Sequence, residues 1–411
     1  MSNNSKIMLM MAAVIIFAIA FGIGFTVGHE SPPTPGVPDT VTKAWEVIID
    51  DYARRDIIDD PDFSSDDIEN LDVIGQVWSV ILTDFVDKNA LTSENLSRAA
   101  IDGMIASLDD PYTSYIESSQ YQLSISSLEG EFDGIGAYVS VDEGNLVIIA
   151  PIADSPADKA GIKAGDIIME IDGEPVADLS LGEAILKIRG PRGTAVTLLV
   201  LHEGDTDPVE ITIVRTTVEV PSVRFEMEGD IAVINITQFS ERTDVELSEV
   251  LKDLDQKTTR GIILDLRGNP GGLLGTVVEV ASHFLDKGVV AIMKDNRGDF
   301  TNYEVIGSGQ KIDLPIVVLV NGSSASGSEV LAGALQDYDR AIIAGTTTFG
   351  KGSVNVLQPL GDGSGIYITI ARWLTPDGRL IEGQGIEPDI ELDLTGDDAL
   401  RWAIGYLTDL D

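Results

Sequence analysis

The residue types and spacings that could carry chemistry fall in two glycine-rich segments in the second half of the chain. Leu264-Asp-Leu-Arg-Gly-Asn-Pro-Gly-Gly-Leu273 follows a strand-like run and opens a helix-like one, so its glycines can turn backbone amides toward an anion. Asn321-Gly-Ser-Ser-Ala-Ser-Gly-Ser-Glu329 occupies a similar junction and presents serine hydroxyls at the positive end of a helix. Lys351, in Thr348-Phe-Gly-Lys-Gly352, lies 25 positions after Ser326. Backbone amides, hydroxyls and one amine are therefore the candidate reactive groups.

The residues that the sequence lacks narrow the chemistry further. There is no cysteine, which excludes disulfides, thiolate zinc sites and cysteine nucleophiles. The three histidines, His29, His202 and His283, are scattered, and we interpret each as structural. Neither His-Glu-x-x-His nor another clustered ligand set occurs, and a Ser-His-Asp triad would need a histidine beside a serine turn. Nucleophilic chemistry must therefore proceed without imidazole or thiol.

The net charge of −41, from 27 basic and 68 acidic residues among 411, bears on partners and solubility rather than on fold. Such a surface repels phosphate backbones and anionic lipid headgroups, which argues against nucleic-acid binding and against polybasic membrane attachment. We interpret the carboxylates as mostly solvated surface.

An uncharged segment near the amino terminus is long enough to cross a bilayer. Residues 7–28 contain no charge and follow a short tail, 1–6, whose only charge is Lys6. We predict an uncleaved transmembrane anchor, with a cleaved signal peptide as the alternative. The positive-inside rule then puts the acidic remainder of the chain, beyond a proline-rich linker at 29–40, outside the cytoplasm. The expected location is the cell membrane, single-pass, with the acidic remainder of the chain extracytoplasmic, either periplasmic or extracellular.

Hydrophobic periodicity divides the remainder into four parts. We predict a helical N-terminal domain at 41–127, a β-rich module at 128–215, an α/β region at 216–395 and an acidic C-terminal tail at 396–411. Within the helical domain, residues 45–52 resemble 78–85, either as two amphipathic helices or as a duplicated hairpin. In the α/β region, strand-like runs alternate with helix-like ones; these runs are Ile231 to Ile236, Gly261 to Leu266, Ile316 to Val320 and Ala341 to Ala344.

The β-rich module resembles a PDZ domain of the bacterial protease-associated kind. The resemblance rests on Gly134-Ile-Gly-Ala137, on Ser155-Pro-Ala-Asp-Lys-Ala-Gly-Ile-Lys-Ala-Gly-Asp-Ile-Ile168 and on Ile171-Asp-Gly173. Backbone amides of the glycine loop can converge on a carboxylate, which implies substrate binding at Gly134, Ile135 and Gly136. The resemblance also implies that Arg189 matches a basic position that can link the PDZ module to the core of the protein; the alternative is a hairpin-turn charge.

Together with Leu374-Thr-Pro-Asp-Gly378 and Gly385-Ile-Glu-Pro-Asp389, these motifs make residues 75 to 392 resemble the carboxyl-terminal processing peptidases, or tail-specific proteases. The resemblance implies an α/β core of the crotonase/ClpP-like type with an inserted PDZ domain. It also implies a serine endopeptidase with a Ser-Lys catalytic dyad that needs no cofactor or metal. Ser326 matches the nucleophile and Lys351 matches the general base.

The resemblance further implies an oxyanion hole formed by the amide of Gly271 or Gly272 together with that of Gly327. The family usually has alanine at the position of Gly327. It also usually has a glutamine four residues after the lysine, where it orients the amine. Here that position holds Asn355, which is one methylene shorter, and Gln358 is the alternative for this role.

Elementary chemistry agrees with a serine and a lysine acting together. A serine hydroxyl is weakly nucleophilic until a base removes its proton, and a lysine can do so only when neutral. Its ordinary pKa of about 10.4 must therefore fall, which burial in an apolar pocket can achieve. Phe349 and the glycines beside Lys351 are compatible with such a pocket.

The expected function is cleavage of proteins near their C-termini, with the PDZ domain recognising the tail or gating the site. Substrates would carry apolar C-terminal tails, since the acidic surface disfavours acidic ones. The alternative is a catalytically weak or inactive PDZ adaptor that binds protein C-termini, which the substitution at Asn355 favours. The sequence is compatible with an oligomer and with an activating adaptor protein, and it does not distinguish between them.

Overall fold

The computed structural model describes residues 65–87, 92–142, 145–152, 154–177, 179, 181–202, 204–307, 312–394 and 396–410. These residues fall into two units, a larger one of residues 118–354 and 370–410 and a smaller one of residues 65–117 and 355–369. The predicted anchor at 7–28, its short tail and the linker lie outside the described residues. No helix in the described part of the chain is both long and apolar enough to cross a membrane.

The smaller unit contains two helices and a short strand. They are α1 (Ser65–Asp84), α2 (Ser93–Ala106) and β1 (Ser114–Ile116). Thr92 begins α2 as its N-cap, because its side chain accepts a hydrogen bond from Asn95 N. Arg98 of α2 then reaches β1: it pairs with Glu117 at 2.7 Å and its guanidinium lies 4.5 Å from the ring centre of Tyr115. β1 pairs antiparallel with residues 365–367.

The larger unit begins with a helix, α3 (Ser118–Glu129), which is followed by the β-rich module. The elements after α3 are β2 (Glu131–Gly134), β3 (Ala137–Asp142), β4 (Asn145–Pro151), α4 (Pro156–Lys159), β5 (Ile167–Ile171), β6 (Glu174–Pro175), α5 (Leu181–Ile188), β7 (Ala195–Leu201), β8 (Val209–Val214) and β9 (Thr216–Glu219). The main sheet has the strand order β3-β4-β5-β7-β8, with β6 paired to β5, and every pair is antiparallel. β3 is therefore an edge strand. The buried face of this sheet carries Ile148, Val196 and Leu198.

A predominantly parallel sheet forms the centre of the α/β region, whose elements run from residue 223 to residue 408. They are β10 (Val223–Glu228), β11 (Ile231–Ile236), α6 (Thr243–Asp253), β12 (Gly261–Asp265), α7 (Leu274–Ser282), β13 (Val289–Asp295), β14 (Phe300–Glu304), β15 (Ile316–Val320), α8 (Gly327–Asp337), β16 (Ile342–Gly345), β17 (Ser353–Pro359), β18 (Gly365–Leu374), β19 (Ile390–Glu391) and α9 (Asp397–Thr408). The sheet order is β10-β11-β12-β15-β16-β19, antiparallel only at β10. Every residue of β12 and β15 is buried, which explains the apolar runs Ile262 to Leu264 and Ile316 to Val320. The four predicted strands are confirmed as β11, β12, β15 and β16.

The last residues, predicted as an acidic tail, instead contain helix α9. Its Ala399, Ala403 and Leu407 are buried at a spacing of four residues, so one face of the helix packs on the parallel sheet. A Cβ atom at Gly261 of β12 would lie only 2.9 Å from a Leu407 methyl group. The acidic residues of this segment obscured the pattern because they lie at the start of the helix, where they favour its positive end.

Glu279 on α7 makes the stability of the fold depend on pH. The pKa of Glu279 is raised from 4.5 to about 7, mainly by burial and also by the Asp244 carboxylate, while His283 opposes the rise. The folded protein therefore binds more protons than the unfolded chain between about pH 4.5 and pH 7, so stability falls as the pH rises through this window. We expect Glu279→Gln to raise the melting temperature at pH 8 and to leave it nearly unchanged at pH 4.5. A difference in melting temperature between Glu279→Gln and wild type that is the same at every pH from 4.5 to 8 would contradict this role of Glu279.

Candidate active site

Ser326 lies in a turn between β15 and α8 whose backbone conformation is unusual. It is the N-cap of α8, with φ +50° and ψ −111°, and only 7% of its surface is exposed. Serine rarely adopts a positive φ, so the surrounding contacts must hold the turn in place. Such strain occurs most often at functional sites, which makes Ser326 the first candidate among the serines of this loop.

The neighbouring serines hold the loop rather than line a site. Ser324 Oγ donates to the Leu266 carbonyl at 2.8 Å, and Ser328 Oγ donates to the Asn269 carbonyl at 2.9 Å. Both side chains are fully buried. The Asn269 carbonyl also accepts from Ala325 N at 3.0 Å. Because β12 and β15 are adjacent parallel strands, the two glycine-rich segments that follow them meet at one edge of the sheet.

The turn after β12 distinguishes Gly271 from Gly272, the two alternatives for an oxyanion donor, because only one of their amides is already hydrogen-bonded. Gly271 N donates to Asn269 Oδ1 at 2.7 Å, so this amide is engaged within its own loop. Among the described residues, the backbone amides of Gly272 and Gly327 have no hydrogen-bond acceptor. A Cβ atom at Gly327 would lie 3.3 Å from Gly272 N, which places these two amides side by side next to Ser326. The arrangement favours Gly272 and Gly327 as the pair of anion donors.

The glycine at 327 has a steric reason. A Cβ atom at this position would lie 2.8 Å from Val277 Cγ2 on α7 and 3.3 Å from Phe239. We expect Gly327→Ala to lower about tenfold the rate of the peptide cleavage that the sequence predicts, by displacing its own amide and that of Gly272. The double variant Gly327→Ala with Val277→Ala should recover most of this rate, because it removes the blocking methyl group. Equal loss in the single and double variants, measured as kcat on one peptide, would rule out this explanation.

Lys351 is the second predicted residue, and it is buried, with 4% of its surface exposed. Its flanking glycines allow another segment to approach: a Cβ atom at Gly352 would lie 2.3 Å from Glu382 N. Gly350 O accepts from Gly383 N at 2.9 Å, which fixes the other side of the lysine. Phe349, which is compatible in type with an apolar pocket around the lysine, is 41% exposed, and its amide donates to the Ser324 carbonyl at 3.0 Å. The lysine loop is thus bonded directly to the serine loop.

Glu329 connects these loops a second time, and it was not among the residues predicted from the sequence. Its side chain is fully buried and accepts hydrogen bonds from Ser326 N, Lys351 N, Gly350 N and Thr348 Oγ1 at 2.6 to 2.8 Å. Burial raises the pKa of Glu329, and these four donors oppose that rise. The spacing Ser-x-x-Glu is a capping-box signature and could have drawn attention to it.

Asn355 belongs to the smaller unit, where its side-chain amide has two acceptors. Nδ2 donates to Thr369 Oγ1 at 2.8 Å and to the Tyr112 carbonyl at 3.4 Å. Its role in orienting the lysine amine stays a prediction, as does the alternative at Gln358. In the described part of the chain, no group of three or more histidine, aspartate and glutamate side chains could hold a metal ion.

The predicted substrate-binding residues of the β-rich module surround a groove between β3 and α5. Ile135 and Gly136 line it together with Ile185, Arg189 and other residues, and it has a volume of about 290 Å³. Gly134 is the last residue of β2, directly before this loop. Gly136 has φ +78°, and a Cβ there would lie 2.4 Å from Ser155, so the turn requires glycine.

Arg189 lies at this groove with its guanidinium over an aromatic ring. The distance from the guanidinium carbon to the ring centre of Phe132 is 4.0 Å. Burial lowers the pKa of Arg189 to about 10, so the side chain still carries its positive charge at neutral pH. The structure thus gives Arg189 a place on the groove wall, beyond the two roles considered from sequence.

Comparison with known proteins gives consistent matches along the chain. The family models for peptidase family S41, the PDZ domain and the activating protease CtpB N-terminal domain match residues 230–392, 147–201 and 40–120, respectively. A carboxy-terminal-processing protease of Bartonella bacilliformis is 40% identical over 321 residues, covering 77% of this chain and 73% of that protein. The carboxy-terminal processing protease CtpA of Bacillus subtilis is 37% identical over 324 residues, covering 79% and 69%.

Among solved structures, a photosystem II D1 C-terminal processing protease is similar over 81% of this chain and 96% of its own, with 29% identity and a TM-score of 0.48. The similarity to these curated relatives extends over more than three quarters of the chain, and separate family models match the PDZ module and the α/β core. The chain therefore belongs to the carboxy-terminal processing proteases of peptidase family S41 and is a serine-type peptidase with a PDZ domain.

Proposed function

We propose that this protein is a Ser-Lys endopeptidase that cleaves protein substrates near their C-termini. The observation that carries the proposal is that Ser326 and Lys351, both buried, lie on loops whose backbone amides donate to one carboxylate oxygen, Glu329 Oε2. Burial favours the neutral form of an amine, which is the form that can accept a proton.

In this mechanism the Lys351 amine takes the proton of Ser326 Oγ as the oxygen attacks the scissile carbonyl carbon. The amides of Gly272 and Gly327 stabilise the resulting oxyanion. Collapse of the tetrahedral intermediate breaks the C–N bond, and the lysine ammonium returns the proton to the leaving amine. A water molecule, deprotonated by the same lysine, then hydrolyses the acyl-enzyme and restores both side chains.

The PDZ groove supplies the preference for C-termini in this proposal. β3 is an edge strand, so an extended peptide can pair with it while its side chains enter the groove beside α5. Ile135 and Gly136 of the loop that follows Gly134 line the groove, so the amides of this loop can bind the terminal carboxylate there. Ile135 and Ile185 favour apolar tails, and the net charge of −41 disfavours acidic ones.

We also propose that residues 7–28 anchor the protein in the cell membrane with the peptidase on the extracytoplasmic side. The uncharged segment follows Lys6 and precedes a strongly acidic chain, which is the charge distribution expected for this orientation.

The test uses the full-length protein and an unfolded substrate made with three C-termini: an apolar tail, the same tail amidated, and an acidic tail. We expect the apolar tail to be cleaved fastest, the amidated and acidic ones at least tenfold more slowly, and Ser326→Ala to cleave none of them. Equal cleavage of all three would contradict recognition of the C-terminus. Tight binding of the apolar tail without cleavage would favour the inactive adaptor.

A further inference from the structure

We propose that Glu329 is a positioning residue that fixes Ser326 and Lys351 relative to each other through their main chains. The inference rests on the proposed Ser-Lys dyad and names a third residue on which the dyad depends. The Glu329 carboxylate touches no reacting atom, since its partners are three backbone amides and the Thr348 hydroxyl.

The position of Glu329 in α8 explains its first contact. It is the third residue of the helix, and Oε2 accepts from the amide of the N-cap residue, Ser326, at 2.7 Å. In an ordinary capping box the glutamate lies at the surface and serves one helix. Here the side chain is fully buried, so it is enclosed by protein on every side.

The second contact joins the two halves of the dyad. The same atom, Oε2, accepts from the amide of Lys351 at 2.8 Å. One carboxylate oxygen therefore holds the backbone nitrogens of both proposed dyad residues. Because Ser326 has a positive φ, a hydrogen bond to its amide also stabilises a conformation that serine would otherwise leave.

The other carboxylate oxygen extends the contacts to the rest of the lysine loop. Oε1 accepts from Gly350 N and from Thr348 Oγ1, each at 2.6 Å. Thr348 Oγ1 in turn accepts from Ile386 N at 2.7 Å, which connects the carboxylate to the chain that packs on the glycines beside the lysine. The four donors to this one buried carboxylate therefore fix the backbone of the serine loop and that of the lysine loop relative to each other.

This arrangement requires a carboxylate, because all four partners donate. Glutamine has the same length but replaces one acceptor oxygen by an NH₂ group, which would face a backbone N–H donor. Aspartate keeps both oxygens but is one methylene too short to span the two loops. Leaving buried donors without an acceptor is unfavourable, so each change should let the loops move apart.

The experiment measures kcat and KM on one peptide substrate for Glu329→Gln and Glu329→Asp. We expect kcat to fall about 10²-fold while KM stays within threefold, because a displacement of about 1 Å between reacting groups has this effect and the PDZ groove is untouched. The matched control is Glu246→Gln, since Glu246 is also a carboxylate with several donors, Ser222 N, Ser222 Oγ and Val223 N at 2.8 to 3.0 Å, away from both loops. It should lose comparable thermal stability but keep kcat.

A second pair of variants keeps the test decisive if the Glu329 variants do not fold. Thr348→Val removes one donor to Oε1 and should lower kcat about tenfold, whereas Thr348→Ser keeps the hydroxyl and should recover most of that loss. A kcat within twofold of wild type in Thr348→Val and in any folded Glu329 variant would overturn the inference. If Ser326→Ala or Lys351→Met still cleaves the peptide, the proposed dyad itself fails, whatever Glu329 does.

Discussion

Gly272→Ala is expected to lower kcat by roughly 10²- to 10³-fold, the loss that follows removal of one oxyanion donor. The reason is steric, because a Cβ atom at Gly272 would lie 2.0 Å from the Phe239 carbonyl oxygen and the residue has φ +149°. The turn must move to admit the methyl group, and the Gly272 amide then leaves its place beside Gly327. The effect is measured as the steady-state kcat for cleavage of a peptide substrate by this variant, in which Ser326 and Lys351 are unchanged.

A matched control for this variant lies in the same loop. Gly268 also has a positive φ, +72°, but a Cβ atom there meets no heavy atom within 4 Å. Gly268→Ala should therefore cost about 1 kcal/mol of stability through backbone strain and leave kcat nearly unchanged. If both variants lost activity equally, strain anywhere in the loop would explain the result and the role of the Gly272 amide would be refuted.

Lys351→Met is expected to have an effect of similar or greater size, a loss of about 10²- to 10⁴-fold in kcat, the usual contribution of a general base. Methionine has nearly the same length and is apolar, so the buried site should accept it without unfolding. Lys351→Arg should be equally inactive, because a guanidinium stays protonated. Lys257→Met, at an exposed lysine, is the control and should be fully active.

Retention of more than a tenth of wild-type kcat in Lys351→Met, with its melting temperature unchanged, would contradict a lysine base. Circular dichroism on the same samples shows whether an inactive Lys351→Met protein is still folded. Only a folded, inactive variant counts as loss of the base.

Much of the site followed from sequence because the groups that carry it lie in local motifs. The strand-turn-helix pattern predicted that the turns after β12 and β15 hold the reactive groups, and those strands are where predicted. The choice between Gly271 and Gly272 could not be made from sequence. It depends on Asn269 Oδ1 engaging one amide and on Phe239, more than thirty residues away, approaching the other.

Other features needed the three-dimensional fold. Glu329 matches a common capping pattern, and only its burial against the lysine loop reveals four donors around it. Helix α9 was hidden by the acidic residues at its start, although Ala399, Ala403 and Leu407 carry a helical spacing. Asn355 differs from the family residue, and its hydrogen bonds to Thr369 and Tyr112 depend on residues distant in sequence.

The central claim, that Ser326 becomes a nucleophile through Lys351, is tested most directly by covalent labelling with a fluorophosphonate followed by peptide mass spectrometry. A fluorophosphonate reacts with a serine only when the hydroxyl is activated. We expect one adduct, on Ser326, in the wild-type protein and none in Lys351→Met. An adduct on another serine, or equal labelling of Ser326 in Lys351→Met, would contradict it.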